Sequence, residues 1–156
     1  MSSLKDFYKN KKVLITGHTG FKGTWLTACL LKFGSKIMGY SKPDSKLKTY
    51  KSMCHHNKVK NVYADILDYS YFRSKIINFK PQIIFHLAAQ SLVSESYKFP
   101  LETVATNTIG TTNILDISRE VKSLNSLVIV TSDKCYLNRE LTRGYKESDT
   151  LGGEDL

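Results

Sequence analysis

Cysteine is scarce in this sequence, and its scarcity excludes two kinds of protein. Only Cys29, Cys54 and Cys135 occur in 156 residues. Because their number is odd and their spacing wide, they indicate no disulfide framework and favour a reducing compartment, the cytoplasm. Cys54 is followed directly by two histidines, His55 and His56, but zinc ligands are normally spaced along the chain. We therefore predict no metal site.

Long hydrophobic runs are also missing. No apolar stretch approaches the roughly 20 residues that a membrane span requires. The first twelve residues, MSSLKDFYKNKK, lack the apolar centre of a signal peptide. Hydrophobic residues nevertheless make up 41% of the chain, which predicts a globular protein with no membrane association.

Acidic residues are outnumbered by basic ones, 14 against 23, and the net charge is +9. A nucleic-acid partner is one possible reason for such a charge. However, the basic residues are mostly scattered lysines and are not interleaved with aromatic residues, as they would be in a single-strand groove. We favour a solvated lysine-rich surface and predict no nucleic-acid partner, although the charge would attract anionic nucleotides.

The strongest pattern lies near the N-terminus, in the sequence KKVLITGHTGFKG of residues 11–23. The apolar run 13–15 predicts a strand buried on both faces, and it leads into Gly17, Gly20 and Gly23. A helical pattern follows, with an apolar stripe of Phe21, Trp25, Cys29 and Phe33 flanked by Leu26 and Leu30. Strand, glycine turn and helix form the context in which backbone amides approach a pyrophosphate at a helix start. A tight connection without a ligand is the alternative.

Apolar strand patterns alternate with helical ones along the rest of the chain. Further strands are predicted at 36–40, 59–64, 82–87 and 126–131, with helices after 68 and from Pro100 to about Val121. In the last helix the expected buried residues are Leu101, Val104, Ala105, Ile114, Ile117 and Val121. Five such strands imply an α/β fold, a doubly wound parallel sheet of Rossmann type, forming one dinucleotide-binding domain over residues 1–156.

The residues at the ends of the second and fifth strands indicate which ligand the fold binds. In dinucleotide folds an acid at the end of the second strand holds the ribose and selects NAD, but here no acid occurs before Asp44. Ser41 and Lys42 could accept a 2′-phosphate or could be simple loop residues, so NAD is predicted with NADP left open. Ser132 and Asp133 follow the fifth strand, in the crevice where such sheets bind ligands; Asp133 could instead cap a turn.

Taken together, these stretches resemble the extended short-chain dehydrogenase/reductases, and among them the CDP-glucose branch of the nucleotide-sugar 4,6-dehydratases. The matching segments are VLITGHTGFKGTWL, ADILD, FHLAAQSLV, SYKFPLETVATNTIGT, VIVTSDKCYLNRE and GYKESDTLGG. The resemblance implies an NAD cofactor, a nucleotide-diphosphate sugar substrate, CDP-glucose, and a homo-oligomer for the full-length form. It also implies these cofactor contacts: Gly17, His18, Thr19, Gly20, Phe21, Lys22 and Gly23 at the pyrophosphate; Asp65 and Ile66 at the adenine; Ala88, Ala89 and Gln90 beside the nicotinamide; and Asn107 as support.

The resemblance also implies a reaction. In the family, the sugar 4-hydroxyl is oxidised by NAD⁺, water is lost across carbons 5 and 6, and the hydride returns to carbon 6. Ser132 would polarise the 4-hydroxyl, and Asp133 would act as the acid for the departing 6-hydroxyl. Lys134 would be either the base for carbon 5 or a fixed positive charge beside the enolate.

Two features depart from the family. Its Tyr-x-x-x-Lys pair is missing after the fifth strand, since neither Tyr136 nor Tyr145 has a lysine four residues later. We therefore expect the chain to be an N-terminal portion of a dehydratase, inactive alone. Ser94 also stands where relatives often carry arginine. An epimerase or reductase of the same superfamily, and a non-enzymatic NAD(P)-binding protein, are the alternative functions.

Overall fold

The computed structural model describes residues 3–43, 48–53, 56–132 and 135–153. Helices and strands alternate over most of this length. The elements, in chain order, are α1 (Leu4–Tyr8), β1 (Lys12–Thr16), α2 (Phe21–Lys32), β2 (Lys36–Ser41), α3 (Lys48–Met53), a 3₁₀ turn (His56–Lys58), β3 (Val59–Tyr63), α4 (Tyr69–Phe79), β4 (Ile83–His86), α5 (Val93–Lys98), α6 (Pro100–Val104), a π-helical turn (Ala105–Ile109), α7 (Gly110–Ser118) and β5 (Ser126–Ile129).

The five strands form one parallel sheet in the order β3-β2-β1-β4-β5. Strand β1 is central, and its residues 13–15 are fully buried, as a strand covered on both faces requires. One apolar cluster lies under α4 and α7 and includes Leu14, Phe72 and Ile114. A second cluster, on the opposite face, includes Ile15 and Leu30. The predicted doubly wound α/β fold is therefore confirmed.

The apolar face predicted for α2 is wrong for Phe21, Trp25 and Cys29, which are exposed. It is right for its other members, since Leu30 is buried and Leu26 and Phe33 pack partly buried against the core. Phe21 is 81% exposed and Trp25 is 53% exposed, whereas the buried residues of this helix are Gly23, Thr24, Thr27 and Leu30. Thr27 can be buried because its hydroxyl donates to the carbonyl of Gly23 at 2.7 Å. The helix thus packs its small residues against the sheet, which brings its backbone close to the strands.

The long helix predicted from Pro100 is divided into α6, the π-helical turn and α7. Pro100 occupies the first helical turn, as expected. Ile114, Ile117 and Val121 are buried, but Leu101 is 85% and Val104 58% exposed. The prediction for those two residues is wrong, because the π-helical turn rotates α6 out of register with the face that α7 buries.

Candidate functional site

A cleft of about 580 Å³ opens where the carboxyl ends of the strands meet. Strand β1 has β2 on one side and β4 on the other, so the connections leave β1 in opposite directions and a crevice forms between them. Residues from the loops after all five strands and from the π-helical turn line it: Gly17, Thr19, Gly20, Phe21, Lys22, Gly23, Ser41, Lys42, Pro43, Ala64, Asp65, Ile66, Leu87, Ala88, Ala89, Ser91, Thr106, Val130 and Thr131.

The glycine loop is packed against its neighbours at two points where no side chain fits. Gly17 has φ +68°, and a Cβ there would lie 2.8 Å from the backbone of Leu87 and Ala88. A Cβ on Gly23 would lie 2.1 Å from the carbonyl oxygen of Gly17. The first helical turn of α2 is therefore held against the end of β1, with its backbone exposed to the cleft.

The start of α2 favours an anion. Its N-cap is Gly20, which has no side chain to accept from the amides of the first turn, and that turn contains no acid. The helix dipole and these amides produce a positive potential, to which exposed Lys22 adds its charge. Phosphate groups bind at helix starts of this kind.

The far end of the cleft carries a carboxylate held in place by two donors. Asp65 accepts from the amide of Leu67 at 3.0 Å through Oδ1, and its Oδ2 lies 2.9 Å from Nζ of Lys42. The side chain of Ile66 packs beneath it against Gly110, where a Cβ would lie 2.3 Å from Cδ1 of the isoleucine. This wall offers acceptors and an apolar surface, a combination suited to a purine base.

His18 is the one member of the predicted glycine-loop set that does not line the cleft. It is fully buried behind the loop, between Ser41, whose Oγ is 2.8 Å from Nδ1, and Asn61, whose Oδ1 is 3.0 Å from Nε2. Burial lowers the pKa of His18 to about 4, so the ring is neutral at physiological pH. His18 can act on a ligand only through Ser41 or the loop backbone.

Gln90 and Asn107 are also absent from the cleft lining, and they bind each other instead. The amide of Gln90 donates to Oδ1 of Asn107 at 2.8 Å, and Nδ2 of Asn107 donates to the carbonyl of Gln90 at 2.9 Å. These two bonds join the loop after β4, which carries Ala88 and Ala89, to the π-helical turn. Asn107 thus joins the π-helical turn to the loop after β4, while its support of the active site and direct cofactor contact by Gln90 stay predictions.

A buried relay that sequence reasoning missed connects the sheet to the same turn. The hydroxyl of Thr16 accepts from the amides of Leu87 and Ala88, both at 3.1 Å, and lies 2.8 Å from Nδ1 of His86. Nε2 of His86 is 3.2 Å from the hydroxyl of Thr111, which donates to the carbonyl of Asn107 at 2.7 Å. The signal that could have revealed this relay is His86 itself, a polar residue within the otherwise apolar strand sequence QIIFHL.

The relay has a single donor order. Since Thr16 already accepts two amide protons, its hydroxyl proton goes to Nδ1 of His86, and Nε2 carries the ring proton that Thr111 accepts. Burial lowers the pKa of His86 to about 4, which keeps the ring neutral and this order intact.

The predicted catalytic residues lie at the end of β5. Ser132 is exposed and directly follows Thr131, a residue of the cleft lining. Asp133 and Lys134 lie outside the described residues, so their roles stay predictions. Seven lining residues were missed: Pro43, Ala64, Leu87, Ser91, Thr106, Val130 and Thr131. All except Thr106 lie within five residues after the end of a strand, and that position was the signal for them.

The spacing Tyr-x-x-x-Lys does occur at Tyr71 and Lys75 in α4. There the lysine Nζ lies 4.4 Å from the centre of the tyrosine ring, and neither residue lines the cleft. This pair is a surface contact between neighbouring helical turns. It does not replace the pair that the family carries after its fifth strand.

Among the described residues, no group of three or more His, Cys, Asp or Glu side chains is arranged to hold a metal ion. Over the same part of the chain, each helix is too short or too polar to cross a bilayer.

Comparison with known proteins gives consistent matches. The family model described as GDP-mannose 4,6 dehydratase matches residues 14–151. A CDP-glucose 4,6-dehydratase of Salmonella typhimurium is 41% identical over 97% of this chain and 42% of its own length. A UDP-glucose 4-epimerase of Mycolicibacterium smegmatis is 33% identical over 69% of this chain and 34% of its own. The chain thus spans about two fifths or less of these relatives.

A solved structure shares the fold. The dTDP-glucose 4,6-dehydratase of Bacillus anthracis, determined in complex with NAD, has a TM-score of 0.75 at 22% identity, covering 93% of this chain and 45% of that one. The extent of the family match, together with the parallel sheet and its glycine loop, shows that this chain belongs to the GDP-mannose 4,6-dehydratase family of extended short-chain dehydrogenase/reductases.

Proposed function

We propose that this chain is the NAD-binding part of a nucleotide-sugar 4,6-dehydratase whose substrate is CDP-glucose. The observation that carries the proposal is the glycine loop, in which Gly17 and Gly23 leave no room for a Cβ and bring the amides of α2 to the edge of the cleft. The identity of 41% to a CDP-glucose 4,6-dehydratase supports the substrate.

The residues of the cleft fit a dinucleotide in three parts. The glycine loop and Lys22 would hold the pyrophosphate at the start of α2. Asp65 and Ile66 would hold the adenine, with the carboxylate accepting from the exocyclic amine. Ala88 and Ala89 are small and would leave room for the nicotinamide, which when bound supplies the hydride acceptor and donor of the reaction.

At the nicotinamide end, the protein's own groups would act on the sugar. Ser132 would donate to the 4-hydroxyl oxygen, and Asp133 would protonate the departing 6-hydroxyl. Lys134 would stand beside carbon 5, as a base or as a fixed cation. The base that starts the reaction and the substrate-binding remainder are found in the longer relatives, so we propose that the isolated chain binds NAD but does not turn over CDP-glucose.

The first experiment is a calorimetric titration of the purified chain with NAD⁺ and with CDP-glucose. We expect saturable NAD⁺ binding that is lost in Gly17→Val, because the new side chain would meet the backbone of Leu87 and Ala88. Gly144→Ala is the matched control, since nothing lies within 4 Å of a Cβ at that position. Binding of NAD⁺ that survives Gly17→Val would contradict the proposed site.

A second experiment tests the reaction class. A chimera would join this chain to the C-terminal remainder of the Salmonella typhimurium relative, and its product from CDP-glucose would be identified by NMR. A 4-keto-6-deoxy sugar from the chimera, and none from the chain alone, is the expected result. Formation of that product by the chain alone would disprove the inactivity proposal. A chimera that binds NAD⁺ but forms no 4-keto-6-deoxy sugar from CDP-glucose would disprove the dehydratase assignment.

A 4-epimerase is the second candidate, because a UDP-glucose 4-epimerase is also among the relatives. It predicts a product inverted at carbon 4 with its 6-hydroxyl intact. Asp133 favours the dehydratase, since elimination requires an acid for the 6-hydroxyl and epimerisation does not.

A further inference from the structure

The imidazole of His18 occupies a fixed place between the glycine loop and β2. It lies over Gly39, where a Cβ would come within 2.3 Å of Cδ2 of the ring. Tyr50 packs edge-on against it, with the ring centres 5.0 Å apart. Because the ring is fully buried, its two nitrogens can bond only to the neighbours that the fold provides, which are the side chains of Ser41 and Asn61 and the backbone carbonyl of Tyr40.

The surroundings of Asn61 determine which nitrogen carries the proton. Nδ2 of Asn61 donates to the carbonyl of Val59 at 3.1 Å, which orients the amide. Its Oδ1 then accepts from the hydroxyl of Tyr50 at 2.6 Å and lies 3.0 Å from Nε2 of His18. An amide oxygen only accepts, so Nε2 of His18 is protonated. The ring is neutral, and Nδ1 is therefore a bare acceptor.

This order continues to Ser41, whose Oγ lies 2.8 Å from Nδ1 of His18. The hydroxyl of Ser41 has one proton, and it donates that proton in a hydrogen bond to the unprotonated nitrogen. One lone pair of Oγ faces the amide of Thr19, at a long 3.5 Å. Ser41 ends β2 and lines the cleft. It can therefore accept a hydrogen bond from a ligand but has no proton to give one.

We propose that Ser41, oriented by His18 and Asn61, is the specificity-determining residue that selects NAD over NADP. The inference rests on the proposed function, in which the adenosine ribose lies at the end of β2. A ribose 2′-hydroxyl has a proton to donate to Ser41. A 2′-phosphate is an acceptor group at neutral pH and would meet an oxygen that has no proton for it. A neutral relay thus takes over the task that an acid performs at this position in other dinucleotide folds.

Among the described residues that line the cleft, Lys42 is the cation next to Ser41 in the chain, and it would favour the phosphate. Its Nζ is already 2.9 Å from Oδ2 of Asp65, and its side chain is 58% exposed. Solvent screens such a charge strongly, and a phosphate would have to compete with the carboxylate for it. Lys42 therefore does not reverse the preference that Ser41 imposes.

The test compares dissociation constants of NAD⁺ and NADP⁺ by calorimetry for the full chain and three variants. The wild type should bind NAD⁺ more tightly by about tenfold, the factor that one misdirected hydrogen bond is worth. His18→Phe keeps a ring over Gly39 but returns the proton of Ser41 to the cleft, so the ratio should fall toward one through tighter NADP⁺ binding. Ser41→Ala should lower the ratio through weaker NAD⁺ binding.

Tyr50→Phe is the matched control. It removes a hydroxyl from the same cluster but leaves Asn61 as the acceptor of His18, so the ratio should equal that of the wild type. A direct readout that requires no variant to fold is the histidine tautomer, measured from the ¹⁵N shifts of the His18 ring. We expect the Nε2–H form.

The outcomes separate this inference from the proposed function. Equal affinity for the two cofactors in the wild type, a ratio unchanged by His18→Phe, or an Nδ1–H tautomer would each overturn the role of Ser41 while leaving the dinucleotide site intact. Binding of neither cofactor would overturn the proposed function and this inference with it.

Discussion

Single residues set the shape of the cleft through what they lack. Gly17 and Gly23 approach neighbouring backbone so closely that even a methyl group would collide. His18, between them in sequence, has the opposite role, because its ring fills the space above Gly39. Glycine and histidine within seven residues therefore perform two tasks, close backbone approach on one side and support of β2 on the other.

The first prediction concerns Gly23. In Gly23→Ala the Cβ would lie 2.1 Å from the carbonyl oxygen of Gly17, so α2 must shift away from the loop. We expect a loss of about 1–3 kcal/mol in the free energy of unfolding, the usual cost of overpacking, measured by urea denaturation. Gly144→Ala should change stability by less than about 0.5 kcal/mol. Equal effects of the two substitutions would show that the loop relaxes freely.

Secondary-structure elements meet the site through two polar relays, one on each side of β1. The relay of His18 joins β1's loop to β2 and β3, and the relay of His86 joins β1 and β4 to the π-helical turn. The turn is itself typical of functional sites, and it brings Asn107 against the loop after β4. Hydrogen bonds between distant elements thus hold the loop after β4 at the cleft.

The second prediction tests the relay between β4 and the turn. Thr111→Val removes the acceptor of Nε2 of His86, leaving a buried donor without its partner. We expect a loss of about 1–3 kcal/mol in unfolding free energy. Thr112→Val is the matched control. The hydroxyl of Thr112, like that of Thr111, donates to the carbonyl four residues earlier, but Thr112 is exposed. A loss as large in Thr112→Val would attribute the effect to the helix and not to the relay.

Across the whole molecule, both buried relays depend on neutral histidines, which makes stability sensitive to pH. The pKa values of His18 and His86 are about 4 in the fold, below the ordinary value of 6.5, because burial disfavours the charged ring. Between these values the unfolded chain binds more protons than the folded chain. Stability is therefore complete above about pH 6.5 and falls as the pH drops toward 4.

The third prediction gives this slope. Unfolding free energies measured in urea at pH 7, 6 and 5 should decline by up to about 1.4 kcal/mol per pH unit for each of the two histidines. Replacing His18 by Phe should flatten the decline by removing one of them. Stability that is constant or rises on acidification would contradict the burial of neutral rings.

A large apolar surface also belongs to the whole molecule. Tyr97, Phe99 and Leu101 are all more than half exposed along α5 and α6. Val128 in the edge strand β5 and Val130 directly after that strand are also partly open to solvent. Exposed apolar patches and unpaired strand edges promote association. We therefore expect marginal solubility of the purified chain.

Local pattern was enough to predict the five strands and the glycine loop between β1 and α2, because each depends on residues adjacent in sequence. It failed for the buried faces of α2 and α6. An apolar stripe reports which residues could be buried, but the close approach of Gly23 and the rotation at the π-helical turn decide which ones are. The order of strands was needed to know what each helix packs against.

The sequence by itself determined that this chain folds as a parallel α/β sheet with a glycine loop between its first strand and the helix that follows, since hydrophobic period and glycine spacing act over a few residues. Only the tertiary structure decided that Ser41 faces a bare nitrogen of His18, and that His86 connects Thr16 to Thr111. In sequence, Ser41 is 23 residues from His18, Thr16 is 70 residues from His86, and His86 is 25 residues from Thr111. Hydrogen-bond direction depends on all of a group's neighbours at once, and parallel strand register is what brings them together.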